Sequence, residues 1–272
     1  TIAEESTDFP GVSKPTWLGG LGFTFKWNMG WMHDTLKFFQ ADPIYRKFNF
    51  NQITFGLWYA FHENWILSLS HDEVVHLKRS LLGKMPGNEW EKFANLRLLL
   101  GFMLGHPGKM LNFMGSEFGQ SGEWNSEKSL DWHEANGYFN RGLQTFVRDC
   151  NIVYKNYCAL WDQDSEASGF AWVDLRDSDN SVLSFLRFGY DWHNAVLFVC
   201  NFTPVPRLGY RVGVPHGGYW KEIINSDAVD YGGSGVGNLG GIHTKQEPWQ
   251  GREYCLEMNL PPLGCVAMQW LR

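Results

Sequence analysis

The sequence predicts an α/β fold followed by an all-β domain, because apolar residues repeat differently in its two halves. Up to about residue 160, short strand-like runs alternate with longer helix-like runs, which is typical of a parallel sheet or barrel. Beyond that point, short strand-like runs are separated by turns that contain Gly, Asp, Asn and Pro, without helical periodicity. This second pattern predicts an antiparallel β-sandwich. We therefore expect two domains, residues 1–160 and 161–272.

The predicted helices of the first half carry apolar residues at helical spacing. In the stretch 32–39, Met32, Leu36 and Phe39 share one side, and in 89–104 apolar residues line one face until Gly105 and Pro107 end the pattern. A third amphipathic helix is predicted at 142–157. The strands predicted for this half are residues 1–3, 64–69 and 109–114.

The strands predicted for the second half are short and closely spaced. They cover residues 170–175, 182–188, 195–202, 210–214, 220–224, 254–260 and 265–270. The stretch 232–241, which is rich in Gly with Ser and Asn, predicts a long flexible loop between two of them.

Composition limits the classes of function. A chain of 272 residues that is 44% hydrophobic and 16% aromatic has enough apolar material for a core, which excludes disorder. The net charge of −6 argues against nucleic acid as a partner and fits a neutral substrate. No apolar run reaches the roughly 20 residues needed to span a membrane. The cysteines are odd in number and lack CxxC spacing, which favours free thiols in a reducing compartment such as the cytoplasm.

Polar clusters follow three of the predicted strands of the first half. Glu4 and Glu5 follow the first, His71 and Asp72 the second, and Glu117 the third. In a βα barrel the catalytic residues lie past the carboxyl ends of strands. Carboxylates brought to one rim suit glycoside chemistry, in which one acid protonates the leaving oxygen and another carboxylate stabilises the cationic centre.

Each of these signals also has a purely structural interpretation. His71 and Asp72 are compatible with a local hydrogen-bonded pair, and Glu117 with a cap of a following helix. His71, Asp72 and His76 match no common zinc spacing, so we expect no metal. The chain lacks a GxSxG motif and a strand-to-helix phosphate loop, so neither a serine hydrolase nor a nucleotide cofactor is predicted.

Several linked motifs along nearly the whole chain resemble the 1,4-α-glucan branching enzymes of the α-amylase superfamily. The most specific are Ala-Glu-Glu-Ser-Thr-Asp at 3–8, Lys-Trp-Asn-Met-Gly-Trp-Met-His-Asp at 26–34 and Leu-Ser-His-Asp-Glu-Val-Val-His at 69–76. Further matching segments are 19–23, 92–97, 113–118, 123–125, 129–132 and 260–264. Motifs that occur in this order are more specific than any one of them.

The resemblance implies the C-terminal half of a (β/α)₈ barrel, strands five to eight, followed by an all-β sandwich. It implies that Glu4 is the general acid/base and that Asp72 stabilises the transition state. His71 is then expected to bind sugar hydroxyls, while Glu5 supports the strand. Trp17 and Trp124 are expected to contact the glucan, with Trp27 and Trp31 as further candidates, and each of the four is equally compatible with the core.

The implied reaction cleaves an α-1,4 bond of glycogen, amylose or amylopectin and transfers the chain to a 6-hydroxyl, by retaining double displacement without a cofactor. In that family the nucleophilic Asp lies one strand before Glu4. We therefore expect that the chain is the later part of a longer polypeptide, lacks the nucleophile and is inactive alone. An α-glucan hydrolase of the same superfamily and a non-catalytic glucan-binding fragment remain the alternatives.

Overall fold

The computed structural model describes residues 1–271, and its first part is built around four parallel strands. These are β1 (Ile2–Ala3), β2 (Phe25–Trp27), β3 (Trp65–Leu69) and β4 (Lys109–Asn112), paired in that order. The helices are α1 (Met29–Gln40), α2 (Pro43–Arg46), α3 (Asn51–Thr54), α4 (Leu81–Lys84), α5 (Glu89–Gly105) and α6 (Tyr138–Asn156). Helices connect β2 to β3 and β3 to β4, as parallel pairing requires. Between β1 and β2 the chain forms only a short 3₁₀ turn, Thr16–Leu18.

Helix α1 confirms the helical periodicity of its sequence. Its start is capped by Asn28, whose side chain accepts a hydrogen bond from the Trp31 amide at 2.9 Å. Met32, Leu36 and Phe39 are all buried, as their spacing predicts.

Helix α5 is confirmed, but the prediction of a single apolar face is too narrow. A capping box of Asn88 and Glu91 begins the helix, and every residue from Phe93 to Gly105 is buried. The helix is buried all round because it packs against helix α6 on one side and the antiparallel sheet on another. Gly105 is its last residue, and a Cβ there would lie 2.7 Å from the ring of Phe198.

In the first part, helix α6, strand β4 and strand β2 differ from the prediction. Helix α6 begins at Tyr138, four residues before the predicted start. Strand β4 ends at Asn112 because the chain turns from Phe113 onward, where the Ser116 amide donates to the Phe113 carbonyl. Strand β2 was not predicted, because it has three residues and a lysine at its centre.

The second part contains two antiparallel sheets. Its strands are β5 (Phe170–Asp174), β6 (Val182–Phe188), β7 (Ala195–Asn201), β8 (Arg207–Val214), β9 (Tyr219–Asn225), β10 (Gly241–His243), β11 (Tyr254–Leu260) and β12 (Gly264–Leu271). Six form a sheet in the order β10-β9-β12-β7-β6-β5, and β11 pairs with β8 in a second sheet. A core cluster with residues from both sheets lies between them, which confirms the predicted sandwich.

Strand β10 was missed, because it follows the glycine-rich stretch that predicts a flexible loop. That stretch is held by hydrogen bonds: the Asp227 carboxylate accepts from the Ser234 amide at 2.8 Å and the Val236 amide at 3.2 Å. Asn238 donates to Glu222 at 2.8 Å. The loop is therefore tethered to the end of β9, although its composition is that of a flexible segment.

The six-stranded sheet is buried on both faces, and it joins the two parts of the molecule. In β7, Val196 and Phe198 belong to the core around α5, while Leu197 and Val199 belong to the core of the sandwich. This alternation follows from the period of two along a strand. One continuous core thus includes helix α5 and one face of the antiparallel sheet.

The helices and the cysteines bear on membranes and on redox state. Among residues 1–271, no helix is long and apolar enough to cross a membrane. All five cysteines carry free thiols, and four of them are buried. Burial raises the pKa of the Cys150 and Cys200 thiols well above the ordinary value.

Candidate active site

The parallel sheet brings the carboxyl ends of its strands to one edge, which we call the carboxyl edge of β1–β4. Glu4 follows β1 directly, and the turn His71–Glu73 begins two residues after β3. Because β1, β2 and β3 are paired in parallel register, these segments leave the sheet at the same edge. The topology therefore places both predicted catalytic carboxylates on the carboxyl edge.

Glu4 and Glu5 have different surroundings although they are adjacent. The Glu4 side chain is exposed and makes no hydrogen bond or ion pair within residues 1–271. Glu5 Oε2 lies 2.7 Å from Lys26 Nζ, and Glu5 Oε1 accepts from the Thr7 amide at 2.7 Å. Lys26 first, and then Thr7, lower the pKa of Glu5 to about 2. Glu5 is thus held ionised by its neighbours, whereas Glu4 is available to a ligand.

Lys26, to which the sequence motif assigned no role, ties the segment after Glu4 to β2. Its side chain is 3% exposed, and Nζ donates to the Thr7 carbonyl at 2.9 Å and the Phe9 carbonyl at 3.5 Å. Together with the ion pair to Glu5, these two hydrogen bonds surround the ammonium group with oxygen atoms. Lys26 therefore fixes the course of the chain immediately after the predicted acid/base. A buried lysine at the centre of a strand is the signal that identifies such a residue.

His71 and Asp72 lie in a 3₁₀ turn at the carboxyl edge. Nε2 of His71 is 3.2 Å from Oδ1 of Asp72, and both side chains are partly exposed. The imidazole ring lies 5.8 Å from the ring of Phe113 and 6.4 Å from that of Trp124. The pair therefore has one side against aromatic rings and another open to solvent.

Trp124, a predicted substrate-binding residue, is brought to His71 from a distant part of the sequence. Its backbone amide donates to the Val74 carbonyl at 2.9 Å, and its ring packs at a right angle on Phe113 with centroids 5.2 Å apart. The half-buried indole is thereby fixed beside the His71–Asp72 turn.

The loop beside Trp124 is organised by Glu123, which the motif included without a role. Its carboxylate accepts from the Arg79 amide at 2.7 Å and the Leu77 amide at 3.0 Å. Both loop residues have positive φ angles of 65°, so the contacts hold an unfavourable backbone. The Arg79 amide, and then the Leu77 amide, lower the pKa of Glu123. A cavity of about 480 Å³ borders this loop and is lined by His76, Glu123, Trp124 and Asp131 among others.

The remaining predicted residues are less closely grouped. Trp17 is 83% exposed in the 3₁₀ turn between β1 and β2, without a ring contact to His71 or Trp124. Trp27 is half-buried and lines a second cavity, of about 600 Å³, together with Glu5 and Lys26. Trp31 is wrong as a glucan contact, because it is 2% exposed and packs in the core near His106.

Glu117 does not cap a helix, because a turn follows it instead of a helix. Its carboxylate accepts from the Gly115 amide at 2.7 Å, which stabilises the turn after β4. No group of three or more His, Cys, Asp or Glu side chains that could hold a metal ion occurs among residues 1–271.

Known proteins match the chain in sequence and in fold. Residues 172–270 match the α-amylase C-terminal all-β domain. The chain is 58% identical over 269 residues to a 1,4-α-glucan branching enzyme of Aquifex aeolicus, and the alignment covers 99% of this chain and 43% of that protein. It is 55% identical to the enzyme named so in Rubrobacter xylanophilus, over 99% of this chain and 37% of that protein. The chain thus spans about two fifths of the length of these relatives.

Solved structures of low sequence identity share the fold. An α-amylase from H. orenii aligns with a TM-score of 0.58 at 12% identity, over 99% of this chain and 53% of its own. A debranching enzyme from Nostoc punctiforme aligns with a TM-score of 0.62 at 15% identity, over 99% of this chain and 50% of its own. At such identities the likeness concerns the fold alone. The sequence matches are much closer, and by them the chain is similar over 99% of its length to proteins named 1,4-α-glucan branching enzymes.

Proposed function

We propose that the protein containing this chain cleaves α-1,4-linked glucan and transfers the released chain to a 6-hydroxyl group, forming an α-1,6 branch. The observation that carries the proposal is the paired His71–Asp72 turn beside Trp124, on the same edge of the sheet from which β1 delivers Glu4. Relatives of high identity named as branching enzymes support the same activity.

Each residue of the carboxyl edge has a chemical role in this proposal. Glu4, exposed and without an internal partner, protonates the leaving oxygen and later removes a proton from the acceptor hydroxyl. Asp72 stabilises positive charge at the anomeric carbon through its carboxylate, and His71, which is paired with it, hydrogen-bonds the sugar hydroxyls. Trp124 provides an apolar face against which a glucose ring stacks, and Trp17 is a more distant candidate for the same contact.

The reaction proceeds by two displacements at the anomeric carbon. A carboxylate attacks that carbon, the bond to the 4-oxygen of the next glucose breaks, and the oxygen takes the proton of Glu4. A 6-hydroxyl group then loses its proton to Glu4 and attacks the glycosyl ester, which releases the carboxylate. The family resemblance assigns the nucleophile to the barrel strand before β1, so the activity is proposed for the whole protein.

The proposed architecture follows from the same resemblance. We assign β1–β4 to strands five to eight of a (β/α)₈ barrel and place the division between the two domains near Trp161. The match of residues 172–270 to an all-β domain and the change of sheet type after α6 support this division. Neutral glucan polymers, such as glycogen or amylose, are the proposed substrates, and the free cysteines favour the cytoplasm.

The experiment uses the whole gene product with amylose as substrate. Branching is expected to shift and weaken the iodine colour without new reducing ends, because each cleavage is followed by transfer. An increase in reducing sugar would instead identify a hydrolase. Binding to glucan with no change in iodine colour or reducing sugar would identify a binding protein. Either hydrolysis or binding alone would refute the proposal.

Two variants test the assigned roles. Glu4→Gln and Asp72→Asn are each expected to lower the branching rate by at least about 100-fold, the usual contribution of a positioned acid or base. The control is Asp179→Asn, an exposed carboxylate in a turn of the sandwich, which should retain the wild-type rate. Full activity of either active-site variant would remove that residue from the mechanism.

A further inference from the structure

Four aromatic rings meet at one end of the antiparallel sandwich, outside the carboxyl edge of β1–β4. They belong to Trp192 and His193 in the β6–β7 turn, His216 in the β8–β9 turn, and Trp270 near the end of β12. Ring centroids are 3.9 Å apart for Trp192 and His193, and 4.8 Å for Trp192 and His216. Trp270 lies 4.4 Å from His216 and 5.8 Å from His193. We call these four residues the aromatic platform.

The aromatic platform is rigidly built. The indole nitrogen of Trp270 donates to the Gly217 carbonyl at 2.9 Å, which fixes the ring on the β8–β9 turn. Nδ1 of His193 is 2.8 Å from the Asp191 carboxylate, and the His193 amide donates to the same oxygen at 3.0 Å. His216 is 8% exposed and lies beneath Trp192 and Trp270. Side chains from three separate segments therefore hold one another in place.

Part of this assembly is open to solvent and therefore accessible to a ligand. Trp192 is 58% exposed although it lies at the tip of a turn, where a small polar residue would satisfy the backbone. The neighbouring Asp191 side chain is 59% exposed, and its Oδ1 accepts from the His193 amide. A flat, exposed indole beside a polar side chain suits a ligand that has both C–H faces and hydroxyl groups.

The charge of the chain favours a neutral ligand over an anionic one. Burial lowers the pKa of His216, so its imidazole adds no positive charge near pH 7. The whole chain has a net charge of −6, which disfavours phosphorylated ligands and nucleic acids but not a neutral sugar.

We propose that the aromatic platform is an auxiliary binding site for a neutral α-glucan chain, with Trp192 stacking on a glucose ring. This inference rests on the proposed function, because that function names the polymer available to the protein. A long polymer can contact this surface and the carboxyl edge at the same time, which raises the effective concentration of further glucan segments near the active site.

The test is native affinity electrophoresis of the whole gene product in gels that contain increasing amounts of glycogen. Trp192→Ala should raise the apparent Kd for glycogen about fivefold, because one stacking contact is lost. Trp192→Phe should retain most of the affinity. The matched control is Trp249→Ala, a 40% exposed indole of the same sandwich that stacks on Arg211, and it should bind like the wild type.

The outcomes separate this inference from the proposed function. Wild-type affinity of Trp192→Ala, or an equal loss in Trp249→Ala, would overturn the platform as a glucan site. Circular dichroism of both variants establishes that each retains the wild-type fold. Failure of the wild-type protein to branch amylose would refute the proposed function, and the electrophoretic result would still decide whether the platform binds glycogen.

Discussion

Replacement of Arg187 by Met tests the contact that joins the two parts of the molecule. Arg187 lies on β6 and is completely buried, and its guanidinium donates to the Asp164 carboxylate at 2.6 Å. It also donates to the carbonyl oxygens of Gly105 at 2.9 Å, Leu160 at 3.3 Å and Gly169 at 3.3 Å. One side chain from the antiparallel sheet thus donates hydrogen bonds to carbonyl oxygens at the end of α5 and in the turn after α6.

The Met side chain fills a similar volume but satisfies none of these acceptors. Removal of one partner of a buried ion pair costs about 3–5 kcal/mol. Asp164 keeps Lys109, whose Nζ is 2.6 Å from its other oxygen, and the buried carbonyl oxygens lose a donor. We therefore expect the free energy of unfolding to fall by about 4 kcal/mol. At about 2–4 °C for each kcal/mol, this corresponds to a Tm lower by roughly 10 °C.

Differential scanning calorimetry of the whole gene product measures this change. Arg148→Met serves as the control, because Arg148 is exposed and pairs with Asp149 on the surface of α6, where such pairs contribute little. A Tm of Arg187→Met within about 2 °C of the wild type would refute the reasoning. The buried guanidinium of Arg187 would then contribute no more to the free energy of unfolding than the surface pair of Arg148 and Asp149.

Two further predictions concern a helix contact and an ion pair. Gly142→Ala should lower stability by about 1–3 kcal/mol although alanine favours helices, because its Cβ would lie 2.5 Å from the Tyr231 carbonyl oxygen. Gly56→Ala, whose nearest neighbour would be 3.7 Å away, should unfold like the wild type in urea, and equal effects of both would contradict the steric argument. Glu5, whose pKa is lowered from 4.5 to about 2 mainly by Lys26, stabilises the folded state fully above pH 4.5 and loses this contribution as the pH falls toward 2. Urea unfolding across this range should show the wild type and Glu5→Gln converging in stability at low pH, and a constant difference would exclude the pair as the cause.

Local patterns were sufficient for most of the longer helices and strands of this chain. Strands β6 and β11 have the bounds that alternating apolar residues and flanking turns predict. Helix α5 begins at the predicted residue because its capping box is encoded within four consecutive positions. The polar residues after β1 and β3 were also recognisable, since their meaning depends only on following a strand in a βα pattern.

Contacts between distant segments decided the rest. Strand β2 has no apolar run, and its central Lys26 is buried because the chain after Glu4 folds back to pair with it. Trp31 and Trp124 are the same type of residue, yet Trp31 is enclosed by the core whereas Trp124 lies beside His71.

The aromatic platform shows the same limit most clearly. Trp192 and Trp270 are far apart in the chain, and they share one surface only because the six-stranded sheet brings the β6–β7 turn and the end of β12 to the same end. The sequence by itself determined most of the elements and the change from parallel to antiparallel sheet, and it indicated the residues proposed for glycoside chemistry, since these follow from local periodicity and short motifs. The tertiary structure decided which side chains are buried, paired or exposed together, because those properties depend on packing between residues that no local pattern connects.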